Sequence, residues 1–273
     1  MKKNLIISAA IGYNFKDLEL FIKSLRKFYN DDICFLIENG NSELEKNLKN
    51  YNCLYVTKNI SKKEIILKRH NFFAEFLQRT NYDKVFCCDC RDVYFQSDPF
   101  EYNFDKPINF FQEGKLIKDC VYNSEWVLKT YSTTGYELIK NQTIVCAGTV
   151  LGNKEKILEY SNLMIKNIQK YKYQKRLKYL LTFRVDPVGR GCDQAHANYI
   201  VHNNLIKDIG LHENADGPVA TAFYLKNINF DKNLNLLNSK NYPYSVVHQY
   251  DKRWSDFSET VQLLKKNLLI TDY

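Results

Sequence analysis

Two aspartates, Asp89 and Asp92, stand three residues apart in NYDKVFCCDCRDVYFQSDPF, residues 81–100. An apolar strand delivers Asp89, and Asp92 follows where the strand's carboxyl end should emerge, the edge at which open α/β sheets collect ligands. Two carboxylates there can hold a hard divalent cation, and such a cation can neutralise a diphosphate. The alternative is a polar turn that caps the strand, with Arg91 paired to one aspartate. Far along the chain, His248 ends a short apolar run and is followed by Asp251, Lys252, Arg253 and Trp254. An imidazole beside carboxylates suits a transition-type cation such as Mn²⁺ better than Ca²⁺. Lys252 or Arg253 could then give charge-assisted hydrogen bonds to a leaving diphosphate.

Asp193 and Gln194 open a helix after the turn Gly189-Arg190-Gly191. Asp193 could cap that helix, or could face an acceptor hydroxyl that must be oriented or deprotonated; if it is a cap, Glu113 and Asp186 are next in line as the catalytic carboxylate. Trp126 and Trp254 offer flat apolar faces for a sugar ring, although core packing explains either equally well. His202 and His212 read as structural. Cys87 and Cys90 form a C-x-x-C, but no second one exists, and strand alternation sends the two side chains to opposite faces, so zinc is not expected.

The elements that must carry these residues follow from apolar spacing. Leu5–Ile11 reads as a buried strand, and Phe15, Leu18, Ile22 and Leu25 recur at helical spacing over residues 15–29. Ile33–Ile37, Leu54–Val56 and Val85–Cys88 continue as strands, with a helix over residues 62–79 between the last two. This alternation predicts a parallel sheet covered on both faces. Beyond residue 100 the order loosens: strands at Ile108–Phe111, Ile144–Val150 and Val246–His248, helices at 153–170, Asp193–Val201 and Phe257–Lys266. No repeat, low-complexity segment or linker interrupts the chain.

The 273 residues carry 39 Lys+Arg against 31 Asp+Glu, a net charge of +8, with 45% hydrophobic and 26% charged residues. That composition excludes disorder, collagen-like repeats and coiled coil. The densest basic cluster, Lys170–Lys178, comes without a nucleic-acid motif and reads as a solvated helix face, leaving an anionic partner such as phospholipid headgroups as the other use. No run of apolar residues is long enough to span a bilayer, and the first one leads directly into a helix without a cleavage site. A cytoplasmic location, with peripheral membrane contact in reach, is the expectation. Reduced thiols are expected for the eight cysteines, most of them inside apolar runs such as ICFLI and VFCCD.

Taken together these segments resemble the metal-dependent glycosyltransferases of the GT-A fold. DCRDVYFQSDPF resembles their D-x-D region, in a variant that spaces the carboxylates three apart rather than two. SAAIGY resembles the nucleotide-binding start, Arg69 a basic position on the helix before the D-x-D strand, and CAGTVLG (146–152) the acceptor-side strand. GCDQAHANYIVHN (191–203) resembles the D-Q-x-x-x-N helix, and VVHQYDKRW (246–254) the late metal-binding histidine, as in glycogenin-like enzymes. The resemblance implies one GT-A-like domain over 1–273: a Rossmann-like nucleotide-sugar-binding half (about 1–100) and an acceptor-binding half with a mixed sheet (about 101–273). It implies sugar transfer from a nucleotide diphosphate donor, a UDP-sugar first, to a hydroxyl of a glycan or lipid-linked acceptor. The implied metal set is Asp89, Asp92 and His248, holding Mn²⁺ in preference to Mg²⁺. Ala9, Ala10, Gly12, Tyr13, Arg69, Asp89, Arg91, Lys252 and Arg253 would bind the donor, and Asp193 would be catalytic. By position, Asp89 would face the sugar nucleotide and Asp92 the cation. A metal-dependent nucleotidyltransferase and a non-catalytic sugar-nucleotide-binding module are the alternatives; SAAIGYNF lacks the Gly-rich basic loop expected of the former.

Overall fold

The structure is a computed structural model that describes residues 3–62, 64–182 and 191–270, with the backbone alone for 173–182. The first half alternates as its apolar runs predict: β1 (Leu5–Ala9), α1 (Phe15–Arg26), β2 (Asp32–Glu38), α2 (Ser42–Asn50), β3 (Leu54–Lys58), α3 (Ile65–Gln78) and β4 (Lys84–Cys88). α1 starts on a capping box in which Asn14 and Asp17 exchange side-chain and backbone hydrogen bonds. After β4 come β5 (Val93–Phe95), β6 (Ile108–Leu116), α4 (Val121–Ile139), β7 (Thr143–Asn153), α5 (Lys154–Thr182) and α6 (Cys192–His202). The chain continues through β8 (Ile209–His212), β9 (Val219–Thr221), β10 (Val246–His248) and α7 (Trp254–Asn267).

Seven strands form one mixed sheet in the order β3-β2-β1-β4-β7-β6-β8. β1, β2, β3 and β4 run parallel, whereas β7 is antiparallel to both β4 and β6. The fold is α/β and consistent with a Rossmann-like arrangement. Alternation along β1 sends Leu5 and Ile7 into the core under α3 and α5, and Ile6 into the core under α1 and α2. β4 divides in the same way, and Cys87 and Cys90 do end in opposite clusters. All eight cysteines are buried and free. No helix among the described residues is long and apolar enough to cross a membrane.

Two features of this topology place the site. The chain leaves β1 for β2 on one side and later returns to β4 on the other, so the carboxyl ends of β1 and β4 flank a topological switch point, the usual ligand crevice of such sheets. A second sheet, β5-β10-β9, then pairs β10 antiparallel to β5 with His248 opposite Val93. Since Val93 follows Asp92 directly, this register carries the late histidine to the early aspartates, and the Gln249 amide closes on the Asp92 carbonyl at 2.8 Å.

Several elements differ from expectation. α5 runs to Thr182 rather than 170. α2 buries only Leu44 and Leu48, too little to stand out in the sequence. α4 went unread because Ser132, at φ 59° and ψ −174°, breaks its periodicity and Val121, Leu128 and Leu138 point to solvent.

Candidate metal centre and cavity

Asp89, Asp92 and His248 each offer one ligand atom, and these atoms lie within 4.8 Å of one another. His248 Nε2 stands 3.6 Å from Asp89 Oδ2 and 3.9 Å from Asp92 Oδ1. The imidazole is 1% exposed, yet Nε2 has no hydrogen-bond partner, while Nδ1 meets the Cys146 thiol at 3.5 Å. A buried nitrogen left unpaired before two carboxylates is costly unless something fills the gap, and an O, O, N donor set suits a divalent cation of the Mn²⁺ type. The residues present therefore fit a metal ion.

The charges around the gap are shaped by each other. Burial works against a proton on His248, but Cys146, Asp89 and Asp92 together hold its pKa above the ordinary imidazole value. The surrounding protein desolvates Asp89, and His248 and Arg69 outweigh that, keeping its carboxyl below the usual range. Asp92 goes the other way: burial raises it, and the neighbouring Asp89 adds to the rise.

Gly148, in β7, is small for a reason. A Cβ there would lie 2.6 Å from Asp89 Oδ2 and 2.8 Å from His248 Cε1. Its carbonyl also accepts the Asp89 amide at 2.8 Å, so β7 is pressed against the metal-facing end of β4.

Arg69, on α3, connects this centre to α6. Its Nη1 is 2.9 Å from Asp89 Oδ1 and its Nη2 2.9 Å from Asp193 Oδ2, and Nη2 also donates to the Ala147 carbonyl. Asp193 is not the cap of α6; Gly191 occupies that position at φ 87°, and Asp193 sits in the first turn. Burial raises its pKa, and Arg69 opposes the rise. Gln194 and Asn198 face β7 instead: they accept from the Ala147 and Val145 amides, at 2.8 Å each, and both donate to the Val145 carbonyl. Residue register between β6 and β7 shifts around Gln112, so these side chains satisfy strand groups that β6 leaves unpaired.

A cavity of about 720 Å³ opens over the centre, within the range of small-molecule sites. Ala9, Tyr13, Arg69, Asp89, Arg91, Asp92, Asp193 and Lys252 all line it, so most of the sequence-derived site converges. Arg91 pairs with Asp251 at 2.7 Å, closer than its 3.8 Å to Asp92. Lys252 is 43% exposed, with Asp251 3.7 Å away.

Three expected donor-binding residues lie elsewhere. Ala10 is packed in the core beneath α1, its amide bonded to the Leu36 carbonyl. Gly12 forms the turn after β1 at φ 74°, with its α-carbon face toward Lys62, and is not part of the cavity wall. Arg253, at the start of α7, pairs with Asp256 and donates to the Leu225 carbonyl, away from the cavity. Trp254 is 45% exposed outside it, whereas Trp126 lines it. His202 and His212 are structural, bonded to the Thr143 carbonyl and the Asn109 amide oxygen.

The cavity also holds Lys62, Tyr122, Phe223 and Tyr224, which reading the sequence did not place there, together with Trp126 and with Glu113, the reserve candidate for a catalytic carboxylate. Lys62 lies over the Tyr13 ring at 4.6 Å. Glu113 is 4% exposed, with burial lifting its carboxyl to about 7, and accepts from Gln194 at 3.3 Å. Tyr122, Trp126, Phe223 and Tyr224 form the wall on the α4 side. Glu113 stands out in the sequence by its place in an otherwise apolar strand, INFFQEG. The rest of the aromatic wall, Tyr122 on α4 and Phe223 and Tyr224 after β9, carries no motif of its own in the sequence.

No protein-family model matches this sequence, and no curated protein matches it either.

Proposed function

We propose that this chain is a metal-dependent glycosyltransferase of the GT-A type, taking its donor from a nucleotide diphosphate sugar. The observation that carries the reading is the orphaned Nε2 of His248 before Asp89 and Asp92, at the switch-point edge of the sheet, where the two aspartates line a cavity large enough for a sugar nucleotide and His248 is buried behind them. Asp89, Asp92 and His248 would hold a divalent cation, Mn²⁺ ahead of Mg²⁺, which when bound supplies a Lewis acid against the charge that grows on the leaving diphosphate.

The chain's own groups divide the remaining work. Lys252 reaches the same cavity from the turn after β10, with its ion-pair partner Asp251 at 3.7 Å, and would donate to a phosphate oxygen. Arg91, anchored by Asp251, places a second cation beside Asp92. Ala9, at the end of β1, keeps the wall shallow where a nucleotide would enter, and Tyr13 presents a ring braced by Lys62. Arg69 fixes the carboxylates of Asp89 and Asp193 against one another, so Asp193 would orient a sugar hydroxyl from a preset direction. Preorganised charge of this kind is the main demand of a step that expels a diphosphate.

The test is a thermal-shift panel of UDP-, GDP-, CMP- and dTDP-sugars with and without Mn²⁺. Stabilisation of a few kcal/mol is expected from the matching donor at about a hundredfold above Kd, and only with the metal. A response to nucleoside triphosphates in place of sugar nucleotides would point to a nucleotidyltransferase.

A further inference from the structure

We propose that the acceptor is an uncharged glycan, seated in a groove that crosses Tyr224 from the cavity lined by Asp89 and Asp92 into a second, amide-lined one. The proposal rests on the glycosyl-transfer reading for the name acceptor, though not for the groove itself. Two independent observations lead to it.

The first is the aromatic wall of the main cavity. Tyr122 is 62% exposed and Phe223 40% exposed, both at the cavity wall, on different elements. Trp126 packs beside Tyr122, their ring centroids 6.1 Å apart, and against Gly191, where a Cβ would come within 2.2 Å of the indole. Large aromatic faces left open at a cavity mark a ligand surface rather than a core. The apolar C–H faces of a pyranose are the natural match for such rings, while its hydroxyls reach the polar rim.

The second is the cavity on the other side of Tyr224. It measures about 720 Å³, and Tyr224 lines both. The side-chain amides of Asn227, Asn229 and Asn241 line it and are exposed, open to a ligand from the solvent side. Each amide offers donors and an acceptor together, the pattern a hydroxyl requires. Charge does not favour an anion: Lys115 and Lys226 are balanced by Asp119 and Glu213, and Lys115 already lies over the Tyr224 ring at 5.4 Å. An acyl chain would meet amides where it needs an apolar trough.

The experiment presents the full chain to an array of neutral and acidic oligosaccharides and, separately, to vesicles containing phosphatidylglycerol. It uses wild type, the surface double variant Asn227→Asp/Asn241→Asp, and Tyr224→Ala. The expected result is retention on neutral oligosaccharides, weakened about tenfold or more by the double variant at an unchanged melting temperature. Should Tyr224→Ala fold poorly, the double variant decides alone. No retention on neutral glycans, preference for acidic glycans or vesicles, or wild-type affinity in the double variant would overturn the proposal. Mn²⁺-dependent sugar-nucleotide binding, measured on the same wild-type protein, reports on the donor reading separately. Glycan binding without donor binding leaves the groove and removes transfer; donor binding without glycan binding does the reverse.

Discussion

Arg69 Nη2 lies 2.9 Å from Asp193 Oδ2, and this pair ties the middle of α3 to the first turn of α6 across the cavity. Asp193 is thereby a carboxylate with a fixed direction rather than a free base. Replacing it with Asn keeps the shape and removes the charge that faces Arg69. Arg69 retains Asp89 as a partner, so folding should survive. The expected outcome is a loss of transfer rate of about a hundredfold with Mn²⁺ affinity unchanged. Steady-state kinetics beside Mn²⁺ calorimetry checks it; a rate near wild type would reduce Asp193 to a structural partner of Arg69.

A methyl group at Gly148 should disable the metal centre without unfolding the sheet. The added Cβ would sit 2.6 Å from Asp89 Oδ2 and 2.8 Å from Cε1 of the buried His248 ring, so two of the three ligands must shift. Gly148→Ala is therefore expected to lose most Mn²⁺ binding while its melting temperature falls by only a few degrees. Calorimetry and a thermal melt on the same sample give both numbers.

Glu113 predicts a pH dependence of stability. Burial raises its carboxyl from 4.5 in the ordinary state to about 7 in the fold. Below the lower value both states hold the proton and stability is complete; between the two the unfolded chain has released it and the folded one has not. Stability should thus decline as pH rises through that window and level off above about 7, by about 3 kcal/mol in all. Glu113→Gln keeps the volume without a titrating proton. Its melts should match wild type near pH 4 and exceed wild type at pH 8; parallel curves would contradict the assignment.

How much of this was legible in the sequence depends on the residue. Asp89 and His248 could be read because each closes a short apolar run, and Asp92 because it stands three residues beyond Asp89, at the strand end where a parallel sheet presents its ligands. What the sequence could not show is that the β5–β10 register sets His248 opposite Val93, since a three-residue strand carries no periodicity. Arg253 was misplaced for a local reason: its neighbour Asp256, one helical turn on, captures the guanidinium. Ala10 and Gly12 belong to the turn that shapes the crevice, not to its surface. The second half of the sheet was read through β6 and β7, but α4 escaped because its kink at Ser132 and its solvent-facing apolar residues erase the helical stripe. Asp186, held in reserve as a catalytic carboxylate, lies outside the described residues.

The cation site itself admits the most direct test. Mn²⁺ should bind the wild-type chain at one site, and pulsed electron paramagnetic resonance should show nitrogen coupling from one imidazole, that of His248, because its Nε2 is the only nitrogen of the Asp89, Asp92, His248 set. In His248→Ala the nitrogen coupling should vanish, and in Asp92→Asn the affinity should fall sharply while the melting temperature holds, since an amide of equal size packs as well but binds a cation poorly. Nitrogen coupling that persists in His248→Ala, or Mn²⁺ affinity that is unmoved by Asp92→Asn, would contradict the assignment of this centre.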